Sequence, residues 1–274
     1  MAKIPFVKMS GSGNDFIIID NRDRRVDVKD LSGFAQKVCR RRLSAGADGL
    51  ILIETSATAD FKWQFYNSDG SRAEMCGNGA RCAARFAFLD GIAGPTMSFE
   101  TIAGRVAAEV DRDRVKIKMT NPVDMKIDYP IELDQGSLHV SSVNTGVPHV
   151  VVVSDKIEDV DVVKVGKEIR RHDAFAPAGT NVNFIWPGNQ GQVLIRTYER
   201  GVEDETLACG TGAVAAALVV AANLGNKSPV QVKTRSGGVL TVYFSETGGH
   251  FSDVYLEGDA RLIYRGELWD DAWN

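Results

Sequence analysis

Two cysteines in this chain stand in the same chemical setting. Met75-Cys76-Gly77-Asn78-Gly79-Ala80 and Ala208-Cys209-Gly210-Thr211-Gly212-Ala213 each place a thiol ahead of a Gly-x-Gly turn and a run of helix-forming residues. The glycines let the backbone turn tightly and approach a ligand closely. The first N–H groups of each helix then lack intrahelical partners and form a natural carboxylate or phosphate site. A thiol there lies in the positive end of the helix dipole, which lowers its pKa and raises its reactive thiolate fraction. The competing reading makes both cysteines small buried hydrophobes, a common fate of the residue. Recurrence in matched settings favours the reactive reading. Two thiols on opposite faces of one carbon can remove a proton from one side and return one from the other, inverting a stereocentre without redox change. The helix N-termini would hold the α-carboxylate and the charge that moves into it.

The spacing of the two motifs extends to the rest of the chain. Cys76 and Cys209 are 209 − 76 = 133 residues apart, and the same offset pairs Gly13 with Gly146, Ala45-Gly46-Ala47-Asp48 with Ala178-Gly179-Thr180-Asn181, and Thr101 and Gly104 with Thr234 and Gly237. It also pairs Phe65-Tyr66-Asn67 with Tyr198-Glu199-Arg200. One long period is a duplicated domain rather than a solenoid of short repeats. Apolar runs at 50–54, 61–67, 182–186 and 193–198 predict strands. Residues 30–43 and 162–175 carry helical periodicity, and helices are expected over 80–89 and 213–224. The last is apolar nearly all round, so it should be a buried central helix. The expected fold class is α/β (α+β): two domains related by a pseudo-two-fold axis, each a mainly antiparallel sheet wrapped around a central helix. Residues 1–120 form the first repeat, 121–259 the second, with a tail at about 260–274 packing on the first. The Pro122 and Pro130 region reads as the crossover.

The chain has 274 residues and a formal net charge of −4, with 44% hydrophobic and 25% charged residues. That composition excludes collagen-like, disordered and disulfide-scaffold chains, and its mild acidity argues against a nucleic-acid partner. Arg40-Arg41-Arg42, the densest basic run, is expected on the solvated side of a helix. The start of the chain lacks a secretory pattern, and its longest apolar run, 213–222, is about half a membrane span. Four cysteines in such a chain are expected to be reduced thiols in a cytoplasmic protein. No CxxC, HExxH or His cluster offers metal-ligand spacing, so neither a metal nor another cofactor is expected. Cys39 and Cys82 align at the offset with His172 and Ala215 and read as packing residues.

These residues bring the chain to a family it resembles: diaminopimelate epimerase, the pyridoxal-phosphate-independent enzymes that interconvert LL- and meso-diaminopimelate for lysine and peptidoglycan synthesis. The resemblance spans the whole chain, from Met9-Ser10-Gly11-Ser12-Gly13-Asn14-Asp15-Phe16 through Asn67-Ser68-Asp69-Gly70 and 75–82 to Glu199-Arg200-Gly201 and 208–213. It implies that Cys76 and Cys209 are the acid/base pair, adjusted by His149 and Glu199. It implies that Gly77, Asn78, Gly210 and Thr211 bind the reacting carboxylate. Asn14, Asn67, Asn181 and Arg200 would recognise the distal amino-acid end, with Glu199 near its ammonium, in a homodimer. An Arg suits a carboxylate because its planar fork holds both oxygens. The alternatives are a turn-closing Asn67 and a surface Glu-Arg pair. The family often has Asn in place of Val147 and Gln in place of Gly49, which bears on the distal pocket. A racemase for another amino acid such as proline, hydroxyproline or histidine would not need the distal set. A carboxylate-based isomerase of the same architecture would not need the thiols. A thiol peroxidase or redox sensor would not need a duplicated carboxylate cradle, and a binding module would not need reactive thiols.

Overall fold

The structure is a computed structural model that describes residues 3–188 and 191–274. It divides into two compact units, Met1–Ile117 with Gly258–Asn274, and Lys118–Glu257. The first unit contains β1 (Ile4–Gly11), β2 (Asn14–Asp20), α1 (Leu31–Val38), β3 (Gly49–Glu54), β4 (Phe61–Asn67), α2 (Gly77–Leu89), β5 (Thr96–Thr101), β6 (Gly104–Asp111) and β7 (Arg114–Lys118), and is completed by the C-terminal strand β17 (Arg261–Leu268). Its sheet runs β17-β1-β2-β3-β4-β5-β6-β7; β2–β3 and β4–β5 are parallel and the other neighbours antiparallel.

The second unit repeats this plan. Its elements are β8 (Val123–Leu133), β9 (Gly136–Asn144), β10 (Pro148–Val153), α3 (Val162–Arg170), β11 (Asn181–Pro187), β12 (Gln192–Glu199), the short β13 (Asp204–Thr206), α4 (Gly210–Leu224), β14 (Val230–Lys233), β15 (Val239–Thr247) and β16 (His250–Asp259). The sheet runs β8-β9-β10-β11-β12-β14-β15-β16, parallel again at the third and fifth junctions, β10–β11 and β12–β14. Strands β2, β3, β10 and β11 are nearly continuous apolar runs because both their faces are covered. One face of each sheet carries α1 or α3, and the other wraps the central helix. Helix α2 packs on β1, β2, β3 and β6, while α4 packs on β8 to β12, β14 and β15. Every residue from Gly212 to Ala221 is buried, as an all-apolar helix at the centre of a domain requires.

Several local expectations are corrected. The helix expected over 30–43 stops at Val38, because Gly46 turns back through the left-handed region (φ 70°) and donates its N–H to the Val38 carbonyl at 3.0 Å. Arg41 is therefore not on a helix face. It holds the carboxylates of Asp15 (2.5 Å) and Asp48 (2.9 Å). The same turn recurs at Gly179 (φ 67°), but the helix before it stops at Arg170, and a separate 3-10 turn occupies Asp173–Phe175. The segment with Pro130 is no crossover. It is strand β8, which tolerates proline because its ladder among the described residues is with β9 alone, as at a sheet edge.

The ladders also correct the repeat alignment. In the first unit Phe16 pairs with Gly49 and Gly49 with Asn67. In the second His149, at Phe16 plus 133, pairs with Asn181, and Val182 pairs with Tyr198. Extending that ladder by one pair sets Glu199 opposite Asn181. Asn67 therefore corresponds to Glu199, and Arg200 lies one residue beyond; a one-residue shift in a strand reverses the face.

Burial raises the Asp15 carboxyl, but hydrogen bonds from Arg41 and Lys8 outweigh it and hold the group at about 2. A depressed folded pKa contributes stability that is complete above the unfolded value near 3.8 and is lost as pH falls through about 2. Acid titration followed by circular dichroism should show a loss on the order of 2 kcal/mol across that window. Asp15→Asn should flatten the slope; an unchanged slope would show that the network adds nothing to stability.

Candidate active site

In the first unit Cys76 is the N-cap of α2. Its extended backbone (φ −146°, ψ 119°) precedes the first helical bond, Ala80 N–H to Cys76 O at 2.8 Å, and its Sγ accepts the Gly79 N–H at 3.5 Å. A thiol in the place usually taken by Ser or Asp thus receives an N-terminal N–H and the positive end of the dipole, both of which favour thiolate. The Asn14 amide oxygen lies 3.7 Å from the same sulfur, and its NH2 donates to Asp48 at 2.6 Å. The structure therefore joins Asn14 to the thiol. Asn67 closes the 67–71 turn through Ser71 Oγ at 3.0 Å.

Arg81 is a functional residue that the motifs do not single out. It is fully buried on α2 and donates to Asn78 Oδ1 (2.9 Å), Ser12 Oγ (2.8 Å), and the carbonyls of Gly77 (3.4 Å) and Asp259 (3.3 Å). It clamps the Gly77-Asn78 turn from beneath and puts a cation under it. A lone Arg among Ala80, Cys82, Ala83 and Ala84 is the signal that could have found it.

In the second unit Cys209 is likewise the N-cap of α4 (φ −122°, ψ 114°), with Ala213 N–H bonded to Cys209 O at 2.9 Å. Its Sγ lies 3.4 Å from Thr211 Oγ1, and the Thr211 carbonyl accepts from Thr145 at 3.1 Å. Asn181 and Arg200 meet: Asn181 Oδ1 accepts the Arg200 N–H at 2.8 Å, and the Arg200 guanidinium donates to the Ala178 carbonyl at 3.1 Å. That guanidinium is half-buried and has no carboxylate partner among the described residues. Glu199 ends β12, and burial raises its carboxyl above the usual range. His149 is buried beside Asn183, whose Nδ2 lies 3.0 Å from its Nδ1.

Cys39 and Cys82 are buried in the first unit, and burial pushes both thiols up to about 12. They are packing residues. Gly49 also has a local cause. A Cβ there would lie 2.6 Å from the Phe65 ring and 2.9 Å from the Tyr66 carbonyl, so a larger side chain needs a different Phe65.

The second glycines of the two motifs differ. A Cβ at Gly212 would sit 2.4 Å from Asn183 Oδ1 and 3.3 Å from Cys209 Sγ, whereas the atoms nearest one at Gly79 would be Ile51, Phe16 and Trp63 side chains at 3.3–3.5 Å. Gly212→Ala should accordingly cost at least about 10-fold more activity than Gly79→Ala, since displacing a positioned group by an ångström can cost about 100-fold. Steady-state rates of the two variants check this, and equal losses would refute it.

This architecture is shared with solved amino-acid racemases and their structural relatives. A hydroxyproline epimerase from Agrobacterium vitis matches with a TM-score of 0.69 at 17% identity, covering 98% of this chain and 93% of that one. A PhzF-family phenazine biosynthesis protein from Bacillus anthracis matches with a TM-score of 0.75 at 16% identity, covering 98% and 100%. At such identities the likeness is one of fold. The sequence goes further, because the diaminopimelate epimerase family profile matches residues 6–125 and 141–263. The diaminopimelate epimerases of Aquifex aeolicus (strain VF5) and Chlorobaculum tepidum are 47% and 44% identical to it, covering 97% and 95% of this chain and 98% and 99% of theirs. The chain belongs to the diaminopimelate epimerase family.

Proposed function

We propose that this protein epimerises LL-2,6-diaminopimelate to the meso form, with Cys76 and Cys209 as the two proton-transfer groups. The observation that carries the reading is a cysteine at the N-cap position in each unit, on a helix that starts with Gly-x-Gly. One thiolate takes the α-proton while the other, as thiol, delivers a proton to the opposite face of the same carbon. The N–H groups at Gly77-Asn78 and Gly210-Thr211 bind the α-carboxylate and stabilise the charge it gains as the Cα–H bond breaks. His149 and Glu199 adjust the thiols. Arg200 and Asn181 hold the distal carboxylate, supported by a guanidinium with no carboxylate partner among the described residues. Asn14, tied to Cys76, acts at the reacting end in this reading, and Asn67 contributes to the distal pocket through its turn.

The thiols suffice for the proton transfers, so the reading includes no metal and no organic cofactor. Dialysis against a chelator, followed by a carbonyl reagent that traps pyridoxal phosphate, should leave the rate unchanged. A loss restored by a metal or by pyridoxal phosphate would overturn that part. Among the described residues no helix is long and apolar enough to cross a membrane. Resemblance to the family supports a cytoplasmic homodimer, which sedimentation of the purified protein tests. The function itself is tested by incubating the protein with LL-diaminopimelate and resolving the stereoisomers. Turnover of proline or hydroxyproline in its place would favour the other racemases of this fold.

A further inference from the structure

The second unit buries a polar chain of which the reaction scheme above uses only His149. Thr197, Asn183 and His149 are all almost completely inaccessible. His149 pairs with Asn181 across the parallel β10–β11 ladder, and Asn183 is two residues further along β11, on the same face as Asn181. Its Nδ2 lies 3.0 Å from the Val150 carbonyl and 3.0 Å from His149 Nδ1, while its Oδ1 accepts from Thr197 Oγ1 at 3.0 Å. Such a buried network is informative because each group has a limited set of roles.

The Val150 carbonyl can only accept. The amide atom facing it is therefore the NH2, and the second proton of that NH2 faces Nδ1. A donor opposite Nδ1 requires a lone pair there, so the ring proton must be on Nε2. That Nε2 is buried and has no partner among the described residues. A buried donor left unmatched is destabilising, and a bound acceptor would relieve that. Burial, with the Arg200 charge second, pushes the imidazole down to about 3, so the ring is neutral at ordinary pH.

We propose that Asn183 is a positioning residue that holds His149 as the neutral Nε2–H tautomer, making the imidazole a fixed hydrogen-bond donor to an anionic acceptor, a thiolate or a substrate carboxylate, rather than a proton acceptor. The proposal rests on the epimerase reading for the identity of that acceptor, but the tautomer does not depend on it. Gly212 ties this device to α4. Its missing Cβ leaves room for Asn183 Oδ1, so the helix that begins at Cys209 and the imidazole are located by one amide.

The test is spectroscopic. The chain has four histidines, His139, His149, His172 and His250, so ring-15N labelling gives few signals, and His149→Gln assigns the one of interest. In the wild type near neutral pH, Nδ1 of His149 should resonate as a bare nitrogen and Nε2 as a protonated one. Asn183→Asp offers Nδ1 an acceptor instead, so it should move the proton to Nδ1 or charge the ring. It should also lower kcat at least about 10-fold, as wrong tautomers do elsewhere, with a smaller change in KM. A wild-type spectrum showing Nδ1–H, or averaging between tautomers, would overturn the proposal, and that spectrum decides even if the variant does not fold. Unchanged ring nitrogens in a folded Asn183→Asp would overturn it as well. Wild-type turnover of LL-diaminopimelate is measured in parallel; its absence would sink the epimerase reading and leave the tautomer to be judged by its own signals.

Discussion

Alanine at Cys76 or at Cys209 should each lower epimerisation by about 10³-fold or more, because each thiol serves a different face of the carbon and a missing acid or base alone costs about 10²–10⁴-fold. The two variants should fail in the same assay for different reasons. Each retains one thiol, so each should still exchange the α-proton on the face that thiol serves, and this is visible as solvent deuterium entering one stereoisomer without conversion to the other. Alanine at Cys39 or Cys82 should leave the rate within a few-fold, since burial holds both as thiols at about 12. Full epimerisation by either Cys76→Ala or Cys209→Ala would end the two-base scheme.

The second large effect concerns substrate recognition. Arg200 presents a half-buried guanidinium whose only described hydrogen bond is to the Ala178 carbonyl, while its backbone is fixed by Asn181. A distal carboxylate bound there makes a charge-assisted, two-oxygen contact. Losing one partner of such a pair costs about 2–5 kcal/mol, so Arg200→Ala should raise KM for diaminopimelate by about 30-fold or more. Arg200→Lys should recover part of this, since an ammonium supplies charge without the fork. Unimpaired kinetics of Arg200→Ala would make the residue structural and move the distal pocket elsewhere.

What the sequence made legible follows from the physics of each feature. The central helices were readable because α4 is apolar around its whole circumference and because a Gly-x-Gly after cysteine specifies an N-terminus. The duplication was readable from glycines in matching turns, such as Gly46 and Gly179, whose φ of 70° and 67° favours that residue type. The alignment of Asn67 with Arg200 failed because one residue is lost between β10 and β11, and only ladder register reveals a slip that leaves both strands apolar. The helix expected through residue 43 failed because Gly46 folds the chain back onto the Val38 carbonyl and leaves Arg41 to be held by Asp15 and Asp48, contacts that periodicity cannot register. Arg81 and Asn183 escaped notice because their roles depend on burial and partners, which come from strands and helices distant in sequence.

The most direct test of the central claim is the early-time conversion of LL-diaminopimelate by the wild-type protein in deuterium oxide, with chiral separation and mass analysis. Two thiols exchange their protons with solvent before meeting substrate, so the account predicts that the first meso product carries one deuterium at the inverted carbon while unreacted LL substrate remains protonated. Meso product that retains the substrate's own proton would show a single base working on both faces and would contradict it.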